Sequence, residues 1–374
     1  MTTLSKRKPD WRRWSVGITG VNARPDNPGP GLAVARCLRE SAGFNGRLIG
    51  LGYEVLDPGL YNDSVFDASY LLPYPSEGSE GQMERLMEIH ANERLDAIIP
   101  CLDAEMSTFA HNETRFAAEG IRMRVPQLEQ LRARAKDNLG ELCDKLGIHT
   151  PETRKISDAS FFDHCREEGW SFPLVVKGIY YDAMVVASPD AAKAAFHHIA
   201  AQWGYPVLVQ QFVGGYEINL TAVGDGKGGM LGPVMMRKRA LTNKGKAWAG
   251  ISIRDAELEA MGHTIVSGLK WQGPLEVEAL RGDDGRLYLI EINPRFPAWV
   301  YLTKGVGCNL PQALLGLIAD DCPTKLPQPE PGTLFIRYAE ELITTLEQFQ
   351  SMMIEGVRLA VGDKNTFGKA TGRL

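Results

Sequence analysis

The sequence predicts a mixed α/β and α+β protein, an N-terminal parallel α/β domain followed by a core built on antiparallel sheets. Three observations carry this. Strand-like and helix-like runs alternate through the first third, the rhythm of βαβ units and a parallel sheet. From about residue 126 the β runs crowd together across hairpin-like turns such as GDGKGG and GDDG, which implies antiparallel pairing. The length, 374 residues, supplies two or three domains with sizeable cores.

The chain opens on a basic segment, residues 1–14, with Lys6, Lys8, Arg12 and Arg13, read as an arm. No apolar run follows it, so a secretory signal is not expected. SVGITG (15–20), GLAVARCLRE (31–40) and RLIGLGY (47–53) give strand, helix, strand. A second unit follows: a charged helix over 83–94, the strand DAIIPC (96–101), a helix over 105–119 and a short strand IRMRV. Residues 15–128 thus form the first domain. The core, 129–321, begins with a helix over 133–146 and continues through FPLVVKG (172–178), VLVQQFV (207–213), EINLTAVG (217–224) and GMLGPVMMRKR (229–239). A helix over 256–269 precedes PLEVEALRGDDGRLYLIEINPR, two strands joined by GDDG. The tail, 322–374, carries a strand GTLFIRY and a helix over 343–355 that complete the core.

Composition narrows the class. A formal charge of −5, with 44% hydrophobic and 23% charged residues, fits an ordinary globular protein and argues against both disorder and a nucleic-acid-coating surface. The six cysteines are scattered singly, without C-x-x-C pairs or nearby histidines, so a reducing cytoplasm is expected and a structural metal is not. The longest stretch without Asp, Glu, Lys or Arg, Ala194 to Tyr216, contains Pro206, Gly204, two His and three Gln and is not a membrane helix.

Gly17, Gly20, Gly29 and Gly31 lie between the first strand and first helix, where backbone N–H groups attract anions. Their spacing is not G-x-G-x-x-G, so the loop is either a tight turn at the sheet edge or a substrate contact. Asp103 and Glu105 lie at the same edge, where open α/β sheets bind ligands. They read either as contacts for a substrate amine or as first-turn acids of a helix.

The most informative segment is PLEVEALRGDDGRLYLIEINPRFPAW. Glu276 and Glu278 are two apart on one strand and Glu291 and Asn293 two apart on its partner, so each pair shares a face. Oxygen-only donors suit a hard cation, and Mg²⁺ takes one or two carboxylates and completes its shell with phosphates and waters. The alternative, strongest for Glu276, is a pair of solvated strand faces partnered by Arg281, Arg286 and Arg295.

With a glutamate thirteen residues before it and a GDDG turn between, IEINPR resembles the C-terminal signature of the ATP-grasp superfamily, especially the branch of carbamoyl-phosphate synthetase and biotin carboxylase. The resemblance spans roughly residues 130 to 320. It implies a pre-ATP-grasp α/β domain followed by a two-lobed core, the small lobe at about 150–212 and the remainder the large lobe. It also implies the cofactors ATP and Mg²⁺, with Mn²⁺ as a substitute ion. Glu278, Glu291 and Asn293 would hold the metal and Arg295 would face the phosphoryl group or substrate carboxylate. Lys136 and Lys177 resemble the two nucleotide lysines. VLVQQFVGGYE resembles the hinge, with Gln210, Phe212 and Val213 along the adenine and Glu217 on the ribose.

Two features depart from the family pattern. Gln210 stands where an acid is common, and the loop after Lys177, GIYYDAMVVAS, is poor in glycine. Tyr180 and Tyr181 are read as a lid over the nucleotide. Arg237 and Lys238 in the RKR run are read as supplying the missing positive charge, or as a solvated basic edge; Arg237 and Arg239 share one face and Lys238 takes the other. The expected activity is an ADP-forming ligase that joins a small carboxylate, an amino acid or peptide, to an amine through an acyl phosphate. A nucleotide-binding protein without ligase chemistry and a phosphotransferase on the same scaffold are the rivals. Partners are the small-molecule acid and amine, with neither nucleic acid nor membrane and with a homodimer admissible.

Overall fold

A computed structural model describes residues 10–179, 182–321 and 325–360. Short apolar runs at Ser15–Ile18 (β1), Arg47–Gly52 (β2), Ala68–Leu71 (β3) and Ala97–Ile99 (β4) form a parallel sheet ordered β3-β2-β1-β4. They are apolar on both sides because both faces are covered. Val34, Ala35 and Leu38 of helix Gly31–Arg39 pack on one face, and Met83, Leu86, Met106 and Phe109 of two further helices on the other. The expected strand IRMRV reduces to a single bridge, Ala97 to Arg122.

The arm expected over residues 1–14 is not an arm in its second part. Residues 1–9 lie outside the described residues, while Trp11–Arg13 form a 3₁₀ turn and Trp11 and Trp14 are buried in the core. Two indoles carry enough apolar area to hold a segment that five cations mark as solvated.

The expected helix over 133–146 is two helices, Leu128–Ala133 and Leu139–Leu146. Between them the Asn138 amide donates to the Arg132 carbonyl at 3.0 Å, a local bond that competes with helix continuation. Lys136 therefore sits in a turn.

Thr153–Ile156 (β5), Leu174–Lys177 (β6), Ala183–Val186 (β7) and Val207–Gln211 (β8) make a four-stranded antiparallel sheet ordered β5-β8-β6-β7. Residues 212–214 lead from β8 into the large sheet. That sheet is antiparallel and contains Gly215–Asp225 (β9), Met230–Leu241 (β10), Ala247–Ile253 (β11), Gln272–Gly282 (β12), Leu287–Asn293 (β13) and Leu334–Ile336 (β14). Its order is β13-β12-β9-β10-β11-β14. Val357–Leu359 (β15) returns to the first sheet, antiparallel to β3. The tail thus completes two sheets rather than one.

Alternation gives the large sheet two unlike faces. Ile218, Leu220, Ala222, Leu275, Val277 and Ala279 pack against helices Ala256–Leu269 and Leu139–Leu146. The opposite face carries Val223, Val234 and Met236 at one end, joined to the core of the first domain, and a row of polar side chains at the other.

Candidate active site

On that polar face the register places Glu276 between Thr221 and Asn293, and Glu278 between Asn219 and Glu291. A bulge in β13 makes this possible. Glu278 pairs with Glu291 but Ala279 pairs with Leu289, leaving Ile290 as an extra residue. Leu287 and Leu289 therefore point into the apolar core while Glu291 and Asn293 point the other way. The segment before the small lobe fixes the bulge: the Leu289 amide donates to the His149 carbonyl at 2.8 Å and the Thr150 hydroxyl to the Leu289 carbonyl at 2.9 Å.

Glu276 is not on a solvated face. It is 4% exposed, and Oε1 accepts from Asn219 Nδ2 (3.0 Å) and Trp299 Nε1 (2.8 Å). Oε2 accepts from Asn293 Nδ2 (3.1 Å) and Arg295 Nη1 (3.3 Å). A buried carboxylate is tolerated when its lone pairs are filled in this way. Burial, and then the neighbouring Glu278, still push its pKa upward.

Glu278 accepts from Asn293 Nδ2 at 2.9 Å and pairs with Lys238 Nζ at 3.2 Å. Burial would raise its pKa, but Lys238, Lys246 and Arg295 outweigh burial and bring it down to about 2. Lys238 also binds Glu217. Its pKa stands above the ordinary lysine value because Glu278 and Glu217 outweigh the opposing effect of burial. Glu291 is paired with Lys136 Nζ at 3.5 Å.

Lys177 ends β6 and is buried, its Nζ donating to Gln210 Oε1 at 3.1 Å while Gln210 Nε2 donates to Thr153 Oγ1 at 2.7 Å. A neutral amide is thus the near partner of a buried ammonium. Burial, then repulsion from Lys136, lower the Lys177 pKa to about 8, with Glu291 opposing. Such a lysine gains from an incoming anion.

Arg295, just past β13, ties the first domain to the core. Its Nε donates to Asp103 Oδ2 at 2.8 Å, and Arg134 lies 3.4 Å from Asp103 Oδ1. Burial opposes ionisation of both partners. The arginines nonetheless hold Asp103 below its ordinary pKa, and Asp103 and Glu276 hold Arg295 above its own. Asp103, Glu278, Glu291 and Lys136 each keep 19–29% of the side chain open, so they line a cleft rather than a sealed core.

The structure does not bring every expected residue to this cleft. Glu105 is fully buried beneath it: Oε1 accepts from the Cys101 and Leu102 amides at 2.8 and 2.9 Å, and Thr19 and Tyr53 donate their hydroxyls. It is a first-turn helix acid that fastens three strand ends, not a substrate contact. Arg237 lies on the opposite sheet face, its guanidinium 3.8 Å over the Tyr216 ring. In the glycine loop two amides are occupied internally, Gly29 N by the Asn22 side chain at 2.8 Å and Gly31 N by the Gly20 carbonyl at 2.9 Å, as in a tight turn. Phe212, 42% exposed, and Val213 lie in the connection between the two antiparallel sheets. Tyr180 and Tyr181 lie outside the described residues.

Sequence reasoning passed over Asn219, Arg134, Trp299 and Arg337. A signal existed for the first: Glu-Ile-Asn occurs twice, at 217–219 and 291–293, and flanks the β12 acids from both sides. Arg337 donates to the Ala298 carbonyl at 2.9 Å, and its buried Nε has no partner among the described residues.

No family model matches the sequence. Solved structures do. An L-amino acid ligase from Bacillus licheniformis superposes with TM-score 0.61 at 17% identity, over 82% of this chain and 74% of the other. Biotin carboxylase from Campylobacter jejuni, solved as a β,γ-ATP complex, gives 0.64 at 16% identity over 84% and 72%. An N5-carboxyaminoimidazole ribonucleotide synthetase from Thermotoga maritima gives 0.57 at 16% identity over 85% and 78%. The chain has the ATP-grasp fold. Its parallel-containing sheet and its two antiparallel sheets are consistent with that fold.

The donor set can be tested against a cation on chemistry alone. Two carboxylates in register, an amide beside them, and the buried Asn219 Oδ1, without a partner among the described residues, form an oxygen-rich patch. Among the described residues no group of three or more His, Cys, Asp and Glu is arranged around one point. The set suits an ion that takes its remaining ligands from phosphate and water.

Proposed function

We propose that this protein is an ATP- and Mg²⁺-dependent ligase that activates a small carboxylate, an amino acid or peptide, as an acyl phosphate and joins it to an amine, releasing ADP and phosphate. The observation that carries the reading is the register of Glu278 against Glu291, with Asn293 beside them and a lysine on each acid. Glu278, Glu291 and Asn293 would hold the ion, which when bound neutralises charge on the phosphates. Mn²⁺ has the same donor preference and would substitute.

The chain's own residues divide the remaining work. Lys136, beside Glu291, and Lys177, whose near partner is a neutral amide, would receive the phosphates. Lys238, held between Glu217 and Glu278, would hold those two side chains in place until ligands arrive. Phe212, Val213 and Glu217 would line the adenosine. Arg295, steadied by Asp103 and Glu276, would place the substrate carboxylate for attack on the γ-phosphorus. The similar structures named above include an amino acid ligase and a carboxylase, which supports carbon–nitrogen bond formation. A cytoplasmic setting fits the five described cysteines, which are buried and free. No described helix is long and apolar enough to cross a membrane.

The test is a screen of amino acids and small carboxylates for stimulated ATP hydrolysis, with nucleotide products resolved. ADP and, with hydroxylamine present, a hydroxamate of the acid are expected. AMP and pyrophosphate would reject the acyl phosphate. ADP release with a stable phosphorylated product would make the protein a phosphotransferase, and nucleotide binding without turnover of any acid a binder.

A further inference from the structure

Of the eighteen exposed large hydrophobic side chains among the described residues, nine fall between Leu334 and Leu359. Three of them, Leu334, Ile336 and Tyr338, alternate along one segment and so share a face, an apolar stripe of the kind that marks an interaction site. It begins on β14, the terminal strand of the large sheet, whose far side pairs with no strand among the described residues. The Thr333 carbonyl accepts from the Ser252 amide and the Arg337 amide donates to the Trp248 carbonyl, both at 2.8 Å, so these residues direct their backbone groups at β11 and its flanks. By alternation Leu334, Ile336 and Tyr338 direct theirs outward. The same three residues have side chains exposed by 62, 65 and 70%.

We propose that this edge pairs with the same edge of a second copy of the chain, antiparallel about a two-fold axis through Ile336, joining two six-stranded sheets. The self-pairing is complementary in several respects. Ile336 meets Ile336 and Leu334 meets Tyr338, an apolar ladder on one face whose members are also the residues with free backbone groups. Glu340 and Glu341 fall opposite Gly332 and Pro331, so no like charges meet. The usual guards of a free edge are missing: residues 333–338 contain neither Lys nor Pro, and the one cation, Arg337, turns inward to the Ala298 carbonyl. The contact has room to grow, since thirteen of the sixteen residues from 331 to 346 are exposed, including Leu342, Ile343 and Leu346.

The test is light scattering with sedimentation on the full chain across micromolar concentrations. A dimer is expected, and Ile336→Asp should convert it to monomer whose melting temperature matches that of the wild type diluted until it dissociates, because Ile336 is exposed in the single chain. A monomeric wild type, or a dimer that survives Ile336→Asp, overturns the proposal. Register is read independently by cross-linking in a Cys322→Ala background, since the other five cysteines are buried. Opposed Cα atoms of a hydrogen-bonded antiparallel pair lie about 5.5 Å apart, within disulfide range. Ile336→Cys should therefore form a covalent dimer on mild oxidation. Leu334→Cys should do so only when mixed with Tyr338→Cys. Failure of Ile336→Cys to cross-link would reject the two-fold at that residue.

Discussion

Glu278 and Glu291 stand directly opposite each other on β12 and β13, and each is paired with a lysine from elsewhere, Lys238 at 3.2 Å and Lys136 at 3.5 Å. One lysine comes from the large sheet and the other from the turn before the small lobe. Each acid of the pair therefore has a cation beside it before any ligand binds.

If that pair holds the metal, Glu291→Gln should keep the fold and lower turnover by about a hundredfold or more, since an ion's worth in the transition state is of the size seen for other electrostatic groups. The Mg²⁺ concentration for half-maximal rate should rise as well. Melting curves and Mg²⁺ titration of the rate check this, and a near-native rate would remove Glu291 from the site.

Lys177 gives a pH signature. Its pKa in the free protein is about 8, below the ordinary lysine value, and a bound phosphate would hold the proton. Above pH 8 binding must take up that proton, so nucleotide affinity should fall as pH rises through 8, approaching tenfold per unit. Lys177→Arg, always charged, should flatten the profile. Calorimetry in buffers of different ionisation heat would detect the uptake, and proton-independent binding by the wild type would refute it.

Glu276→Ala should cost roughly 3–5 kcal/mol of stability, because it leaves Arg295 buried with half its compensation gone and strips the amides of Asn219 and Asn293 of an acceptor. Urea denaturation measures this. A loss below about 1 kcal/mol would return Glu276 to the status of a surface acid.

Asp103→Asn should lower stability at neutral pH by about 1–3 kcal/mol through loss of the charged bonds to Arg295 and Arg134. The sign follows from its depressed pKa: the contribution is full above the ordinary aspartate range and disappears as pH falls through the lowered value. The wild type should therefore lose stability in acid that the variant has already lost, which a melting series across acid pH would show. Superimposable acid limbs would contradict it.

The β12–β13 acids were legible because carboxylates and an amide interrupt runs of Leu, Ile and Val at spacing two, which few solvated strands do. Their common face was legible only within each pair. Strict alternation along β13 would put Leu289 and Glu291 on one side; the extra residue at Ile290 separates them, and it is held by His149 and Thr150, some 140 residues away in sequence. The same limit explains Arg237 and Lys238. Alternation says they diverge but not which one meets the acids. Asp103 and Glu105 look equivalent in the chain, yet one turn of helix sends Asp103 to Arg295 and Glu105 under the strand ends. The two tryptophans that fix the start of the chain were hidden by the cations around them.

The first sheet is completed by β15, which pairs with β3 about 290 residues earlier in the chain and is anchored where Arg358 grips both oxygens of Asp63 at 2.6 Å. On a ribosome adding roughly 5–20 residues each second, β3 then waits on the order of 15–60 s with an open side. Throughout that interval the nascent first domain is four-stranded and able to recruit a foreign strand. Joining the ends and reopening the chain elsewhere, in a circular permutant that synthesises β15 just ahead of β1, would close the gap early. Yield of soluble protein, rather than activity, is where such a rearrangement would register.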